Sequence, residues 1–219
     1  HRDLHSFPTR RSSDLTTANR KKNKDLAHAG AYHNWVECCF PSDIRKNNRN
    51  RKLWRIDRIN QKNYLIVVSR DKPDPELLER YGVEGSAQTK CYDNFLDSLR
   101  ENLKMRFRVV LNPVISLSRG TGNKSVVKPH VTIDHQMKYL MERSEKNGFT
   151  LCEDEFSITE RGYMTLKKTN QRTIRLVKAE YEGLLTITDI SVFINVLTNG
   201  LGKHKAYGFG MMTVIPIVD

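Results

Sequence analysis

The chain has 219 residues, of which 37 are Lys or Arg and 25 are Asp or Glu, so its formal net charge is +12. That excess favours a polyanionic partner, nucleic acid before an anionic membrane surface. No apolar run approaches the ~20 residues of a transmembrane helix, and the start carries no apolar secretion signal. The four cysteines lack a CxxC spacing, which argues against a zinc site and fits a reducing, cytoplasmic setting.

The first 15 residues, HRDLHSFPTRRSSDL, follow neither the helical nor the strand period. They resemble the translation of a sequencing-adapter read, so we set residues 1–15 apart as a non-native leader. Native sequence is then expected to resume near Thr16. An ordinary disordered tail is the plainer alternative.

Residues 16–95 predict a first α+β domain. The predicted elements are, in chain order, a helix over 25–40 that stops before Pro41, strands over 53–59 and 64–69 around a turn, a helix from the Asp74-Pro75 cap to Gly82, and a strand over 87–92. This αββαβ order is a ferredoxin-like unit that lacks its native first strand. The missing strand should lie where the leader stands.

Residues 100–219 predict a second domain with the complete βαββαβ order. The predicted elements are a strand over 104–117, a helix through Met137, Leu140 and Met141 that ends at Gly148, a hairpin of strands over 156–166 and 173–186, a helix from Asp189 to Gly200, and a strand over 207–218. The fold class is therefore α+β, with two tandem ferredoxin-like (RRM-like) domains. A linker is expected near residues 94–101.

The positive charge is concentrated in particular stretches. Between Glu101 and Asp134 the chain has Lys or Arg at six positions and no acid, and residues 161–178 repeat that balance. A third cluster surrounds Arg51 and Lys52. A single basic cluster is usually solvated surface, but two acid-free stretches in one domain favour contacts with phosphates.

A glycine-rich loop, GLGKHKAYGFG, joins the last predicted helix to the last strand. Its spacing matches neither the dinucleotide-binding fingerprint nor the Walker A loop. The glycines would let backbone amides approach phosphates, and two lysines add charge. A tight helix-to-strand turn is the alternative interpretation.

The same loop and its continuation, GLGKHKAYGFGMMTVIP, resemble the C-terminal signature of the CasE family. The segment AYHNWVECCFP resembles that family's first helix, and LNPVIS, NGFTL and YEGLLTITD resemble further family segments. The resemblance implies two ferredoxin-like domains and an endoribonuclease that binds the stem-loop of a CRISPR repeat transcript. It implies cleavage at the 3′ base of the stem without metal or cofactor, and retention in the type I-E Cascade complex with its other subunits.

By position, the resemblance places the family's catalytic histidine on His33, seven residues before Phe40. The 2′-OH of RNA is its own nucleophile, so one imidazole that moves protons and cations that steady the phosphate suffice. His33 also shares an apolar helical stripe with Leu26, Ala29 and Val36. A satisfied, half-buried histidine is therefore the alternative interpretation.

Accessory roles are predicted for Tyr32, beside His33 in sequence, and for His204, the rival imidazole in the basic loop. Some family members have Tyr three residues before the histidine and Lys five after it, where this chain has Gly30 and Cys38. RNA contacts are predicted for Arg161, Lys167, Lys168, Arg172, Arg175, Lys203, Lys205, Gly200, Gly202, Gly208 and Gly210. A structured-RNA-binding subunit without catalysis remains the alternative function.

Overall fold

The computed structural model describes residues 9–11, 26–46, 50–118, 125–167 and 173–217. The helices are α1 (Ala29–Cys38), α2 (Pro41–Lys46), α3 (Pro75–Glu79), α4 (Asp93–Ser98), α5 (Ile133–Ser144) and α6 (Ile190–Asn199). The strands are β1 (Thr9–Arg11), β2 (Lys52–Ile59), β3 (Lys62–Ser69), β4 (Lys104–Leu111), β5 (Val114–Leu117), β6 (Val126–Pro129), β7 (Phe149–Thr150), β8 (Phe156–Leu166), β9 (Ile174–Ile187) and β10 (Met212–Pro216). A 3₁₀ helix, Lys205–Tyr207, lies within the glycine-rich loop.

The second half of the chain forms the complete unit that its pattern predicts. Its antiparallel sheet has the order β10-β4-β9, with β8 and the short β7 both pairing with β9. That is the order 4-1-3-2 of a ferredoxin-like βαββαβ unit. Along β4, Met105 and Phe107 are buried and Lys104 and Arg106 are exposed, because alternate residues face opposite sides of a sheet.

The first half forms a smaller three-stranded sheet with the order β1-β3-β2. One core cluster joins α1 to this sheet through Trp35, Val36 and Phe40 on the helix side and Leu65 and Val67 on β3. The predicted α+β class with two tandem ferredoxin-like units is confirmed by these two sheets and their helices. Among the described residues, no helix combines the length and apolarity needed to cross a bilayer.

Residues 1–15 were set apart as a leader outside the fold, but three of them form a strand. Thr9–Arg11 pairs antiparallel with β3, with Thr9 opposite Leu65 and Arg11 opposite Asn63. The leader therefore occupies the edge of β3, in the part of the chain where the missing native strand was expected. The pairing uses main-chain groups, and an open sheet edge offers these to any extended segment.

The strand predicted over 87–92 is wrong, since only an isolated bridge at Cys91 forms there. The Glu79 carboxylate instead accepts from the backbone N–H of Ala87 at 2.6 Å and of Gly85 at 2.8 Å. These two bonds, that of Ala87 first, lower the pKa of Glu79. The segment stays a loop because the Glu79 side chain accepts the hydrogen bond from the Ala87 N–H that a neighbouring strand would need.

The single strand predicted over 104–117 is also wrong, because β4 ends at Leu111 and β5 begins at Val114. Pro113 has no N–H to donate to a ladder. After the break, β5 pairs with β6 as a separate two-stranded ribbon, which the sequence pattern did not indicate. Helix ends were predicted better: the Asp74 and Asp189 side chains accept from Leu77 and Val192 N–H, as N-caps do.

The two units dock through neighbouring residues of β2. Trp54 donates its indole N–H to the carbonyl of Ala206 at 2.9 Å. Arg55, only 3% exposed, forms two hydrogen bonds with Asp57 at 2.6 and 2.8 Å. It also donates to the carbonyl of Met211 at 3.1 Å. The loop before β10 is therefore held against the first unit by its own main chain.

Gly208 lies where the two units pack so closely that a side chain would not fit. Its φ is +82°, and a Cβ there would lie 2.9 Å from the Trp54 ring. We expect Gly208→Ala to lower the free energy of unfolding by about 2–4 kcal/mol, since backbone strain and overpacking add. Gly162→Ala is the matched control, because a Cβ there meets nothing within 4 Å. Urea denaturation of both variants measures the effect, and equal losses would contradict the packing explanation.

Candidate active site and nucleic-acid interface

His33 lies at the boundary between the two units. Its ring sits edge-on to the Tyr207 ring, with centroids 5.5 Å apart and planes at 71°. The side chain is 31% exposed, whereas Trp35 and Val36 on the same helix are buried. The imidazole is therefore half-buried, as the alternative interpretation expected, and it also faces the glycine-rich loop.

Glu37 is a neighbour of His33 that the sequence analysis missed. Its Oε1 lies 4.0 Å from Nδ1 of His33, one helical turn away, and its Oε2 lies 3.3 Å from Nζ of Lys52. The buried Lys52 ammonium also contacts Asp43 at 2.8 Å. This arrangement holds a carboxylate 4.0 Å from the imidazole, in the geometry of an ion pair when the ring is charged. The i, i+4 spacing of His33 and Glu37 was the available signal.

His204 is held by a buried amide that joins the loop to the hairpin. Asn112, 2% exposed, donates from Nδ2 to the Val177 carbonyl at 2.7 Å. Its Oδ1 therefore faces Nδ1 of His204, 2.9 Å away. Because an amide oxygen only accepts, Nδ1 must carry the proton. His204 also adopts a left-handed backbone, with φ of +59°, so both its ring and its backbone are restrained.

The loop lysines occupy different environments. Lys203 is exposed, and its ammonium donates to Oγ of Ser116 on β5 at 3.1 Å. Lys205 is half-buried, and its pKa is lowered by burial first and by the Arg51 charge second. Both lie within the glycine-rich loop that carries Tyr207, the residue whose ring contacts His33.

The loop glycines mainly allow the loop to pack against the protein, and most of them do not present free amides to a phosphate. Gly200 donates its N–H to the Val196 carbonyl, and Gly210 donates to Val110, each at 2.8 Å. Those two amides are thus committed inside the protein. With Gly208 packed on Trp54, Gly202 is the exposed member of the four predicted glycines.

The hairpin β8–β9 carries the other predicted RNA contacts. Arg161 donates to Oε1 of Gln136 at 2.9 Å and to the Val131 carbonyl, so it is tied to the start of α5. Arg175 lies over the exposed Tyr163 ring, 4.4 Å from its centroid. Lys167 is exposed near the hairpin end. Lys168 and Arg172 lie outside the described residues.

Helix α1 packs directly on this hairpin. A Cβ built on Gly30 would lie 3.2 Å from the Lys167 carbonyl oxygen and 3.1 Å from the His28 ring. The space that a side chain at position 30 would need is therefore already filled. Tyr32 does not replace it beside His33, because its ring stacks on Trp54 with centroids 5.5 Å apart.

The stretch between Glu101 and Asp134 contains no acid in sequence, but acids from other elements lie beside its basic residues in the structure. Lys104 pairs with Glu155, and Arg108 contacts Glu180 at 2.8 Å and Glu182 at 3.2 Å. These partners come from other elements of the second unit. Within the hairpin, Lys178 pairs with Glu160 at 2.8 Å. The charges of Lys104, Arg108 and Lys178 are therefore partly neutralised by acids and less available to RNA.

The described part of the chain holds no group of three or more His, Cys, Asp or Glu side chains arranged to bind a metal ion. No metal-binding residue was predicted from the sequence.

Comparison with known proteins gives consistent matches over nearly the whole chain. A family model described as CRISPR associated protein matches residues 12–216. The CRISPR-associated endoribonuclease Cse3 of Thermus thermophilus is 28% identical over 213 residues, 92% of this chain and 97% of that protein.

Solved structures show the same fold. The structure of Thermus thermophilus Cse3 bound to an RNA representing a pre-cleavage complex has a TM-score of 0.76 and 22% identity, and covers 98% of this chain and 100% of that one. A chain of a CRISPR RNA-guided surveillance complex in a pre-nicking state has a TM-score of 0.66 and 22% identity. It covers 96% of this chain and 100% of that chain.

The Asn112–His204 contact predicts a defined tautomer. We expect nitrogen-15 NMR to find the proton of neutral His204 on Nδ1, and Asn112→Leu to abolish that preference because the acceptor is removed. The variant should also lose about 1–3 kcal/mol of stability, since the buried Val177 carbonyl loses its donor. The exposed His135 is the internal control. A wild-type His204 with its proton on Nε2 would contradict the assigned amide orientation.

Proposed function

The chain belongs to the CRISPR associated protein family, as its CasE-like motifs indicated, and from that premise we propose that it is the endoribonuclease which processes CRISPR repeat transcripts. The observation that carries the proposal is the position of His33, 5.5 Å from Tyr207 in the basic loop. The name of the Thermus thermophilus relative, a CRISPR-associated endoribonuclease, supports the same activity. The substrate is the stem-loop of the repeat.

Cleavage proceeds by attack of the 2′-OH on the adjacent phosphate. The products are a 2′,3′-cyclic phosphate and a 5′-OH, and no metal or cofactor takes part. His33 moves a proton at the reacting oxygen atoms, while Glu37 supports the charge on its ring. Lys203 and Lys205 supply positive charge to the phosphate as its negative charge increases.

Binding of the stem precedes cleavage and uses the hairpin. Arg175, held flat on Tyr163, presents guanidinium donors to phosphates. Lys167 lies at the hairpin end that packs on α1. An RNA duplex is recognised largely by shape through such contacts, so these residues supply affinity rather than sequence selection.

The product remains bound, and the chain acts within the Cascade complex in the cytoplasm. The structural similarity to a chain of a CRISPR RNA-guided surveillance complex supports this assignment. A complex of several subunits needs a stable RNA handle, which a tightly held stem provides.

A structured-RNA-binding subunit without catalysis is the second candidate. The glycine at position 30 and the cysteine at position 38, where some family members have Tyr and Lys, favour it. Tyr32 is turned toward Trp54, so it does not restore the missing group beside His33.

Cleavage of a labelled repeat hairpin in EDTA separates the two candidates. We expect the wild-type chain to cut the hairpin and His33→Ala to slow single-turnover cleavage by about 10²–10⁴-fold, because the proton-transfer group is removed. Affinity for the hairpin should change little. His135→Ala, an exposed histidine on α5, is the matched control.

Each outcome of that assay is informative. Cleavage that survives in His33→Ala would remove His33 from its role, and His204→Ala is then the next variant. Tight binding without cleavage by the wild-type chain supports the binding subunit instead. Loss of cleavage in EDTA would contradict the metal-free mechanism.

The lowered pKa of Lys205 predicts a pH-dependent affinity. A lysine with a depressed pKa loses its charge, and with it the attraction to phosphate, at a lower pH than an ordinary lysine. Arg keeps its charge throughout this range. We therefore expect the affinity advantage of Lys205→Arg over wild type to grow as the pH rises towards the ordinary lysine pKa of about 10.4. Filter binding to a 2′-deoxy-blocked hairpin measures it, with the exposed Lys203→Arg as control.

A further inference from the structure

A cavity of ≈ 380 Å³ lies between the start of α1, strand β2 and strand β8. Its walls include His28 and Tyr32 of the first unit, together with Met164 and Lys178 of the hairpin. Its volume falls in the range of small-molecule and cofactor sites, about 300–1,000 Å³.

The walls combine flat apolar surface with a few polar groups. Tyr32 stacks on Trp54 with ring planes 25° apart, which forms an aromatic wall. Within the described part of the chain, Nδ1 of His28 is buried and makes no hydrogen bond. Buried polar atoms are normally satisfied, so this nitrogen needs a partner from outside the described residues.

The His28 ring occupies this position because residue 30 is glycine. A Cβ at Gly30 would lie 3.1 Å from both Cε1 and Nδ1 of His28. Any larger residue would displace the ring from the space that it fills. The glycine that departs from some family members therefore accompanies an imidazole on the cavity wall.

The cavity and the proposed catalytic site share two neighbouring residues of the glycine-rich loop. Gly208 lines the cavity, and the preceding residue, Tyr207, contacts His33. If part of an RNA chain bound in the cavity, a phosphate only a few bonds away along that chain would therefore lie near His33. Lys178 also lines the cavity, with its ammonium paired to Glu160.

We propose that this cavity binds one unpaired nucleobase next to the cleaved phosphate, stacked near Tyr32 and hydrogen-bonded through its edge to His28. The inference rests on the proposed function. A nucleobase has apolar faces and polar edges, and proteins recognise unstacked RNA bases with aromatic side chains and edge hydrogen bonds. Insertion of the base pulls one nucleotide out of the stem and orients the neighbouring 2′-OH toward its phosphate.

The test compares wild type with His28→Leu, which keeps side-chain volume and removes the unsatisfied nitrogen. The probe is a repeat hairpin with a 2′-deoxy nucleotide at the cleaved position, so that it stays intact. Abasic sites are introduced one at a time on either side of that bond. His135→Leu, at an exposed position, is the control.

One abasic position should weaken wild-type binding by about tenfold, since a polar edge and a stacked face are lost together. The same abasic site should weaken binding by His28→Leu much less, because the abasic site and the substitution remove the same interaction. His28→Leu should bind the unmodified hairpin more weakly, while its thermal midpoint does not fall. A purely structural His28 predicts unchanged affinity.

The alternatives have distinct signatures. Equal abasic costs in wild type and His28→Leu at every position would overturn the proposal, as would unchanged affinity of His28→Leu, the result expected if a partner protein fills the cavity. In those cases normal cleavage by wild type would leave the proposed function standing. A wild-type chain that binds no repeat hairpin would overturn both.

Discussion

The docking of β2 against the loop before β10 is the contact on which the rest of the structure depends. Trp54 and Arg55 bond to main-chain carbonyls of Ala206 and Met211, so the loop is positioned through its backbone. Arg55 is buried, and Asp57 balances its charge. Removing Asp57 would leave the buried Arg55 guanidinium without its carboxylate partner, which is strongly destabilising. Docking of the two units is thereby coupled to the stability of each.

The candidate site exists only because the units dock. His33 and Glu37 come from the first unit, whereas Tyr207 and the loop lysines come from the second. The two histidines are restrained in different ways, His33 by its helix and its acidic neighbour, His204 by a buried amide. Groups held in place before the substrate binds reduce the cost of reaching the reactive geometry.

Charge pairing in space selects which basic residues can meet RNA. Arg108 is surrounded by Asp57, Glu180 and Glu182, and its guanidinium serves to hold the sheet and the interface. In the part of the chain that the structure describes, Lys167 and Arg175 form no ion pair with an acid. Lys167 and Arg175 are therefore better placed than Arg108 to meet phosphates.

The sequence by itself determined many of the helices and strands, the N-caps at Asp74 and Asp189, and the family, because these are written in local period, capping chemistry and motifs. It also singled out His33, but left its role open between core and catalyst. Only the tertiary structure decided that His33 faces Tyr207, that Asn112 holds His204, and that the Glu79 carboxylate binds the N–H of Ala87. Contacts such as His33–Tyr207 and Asn112–His204 join residues far apart in the chain, and their geometry depends on how whole elements pack, which no local pattern records.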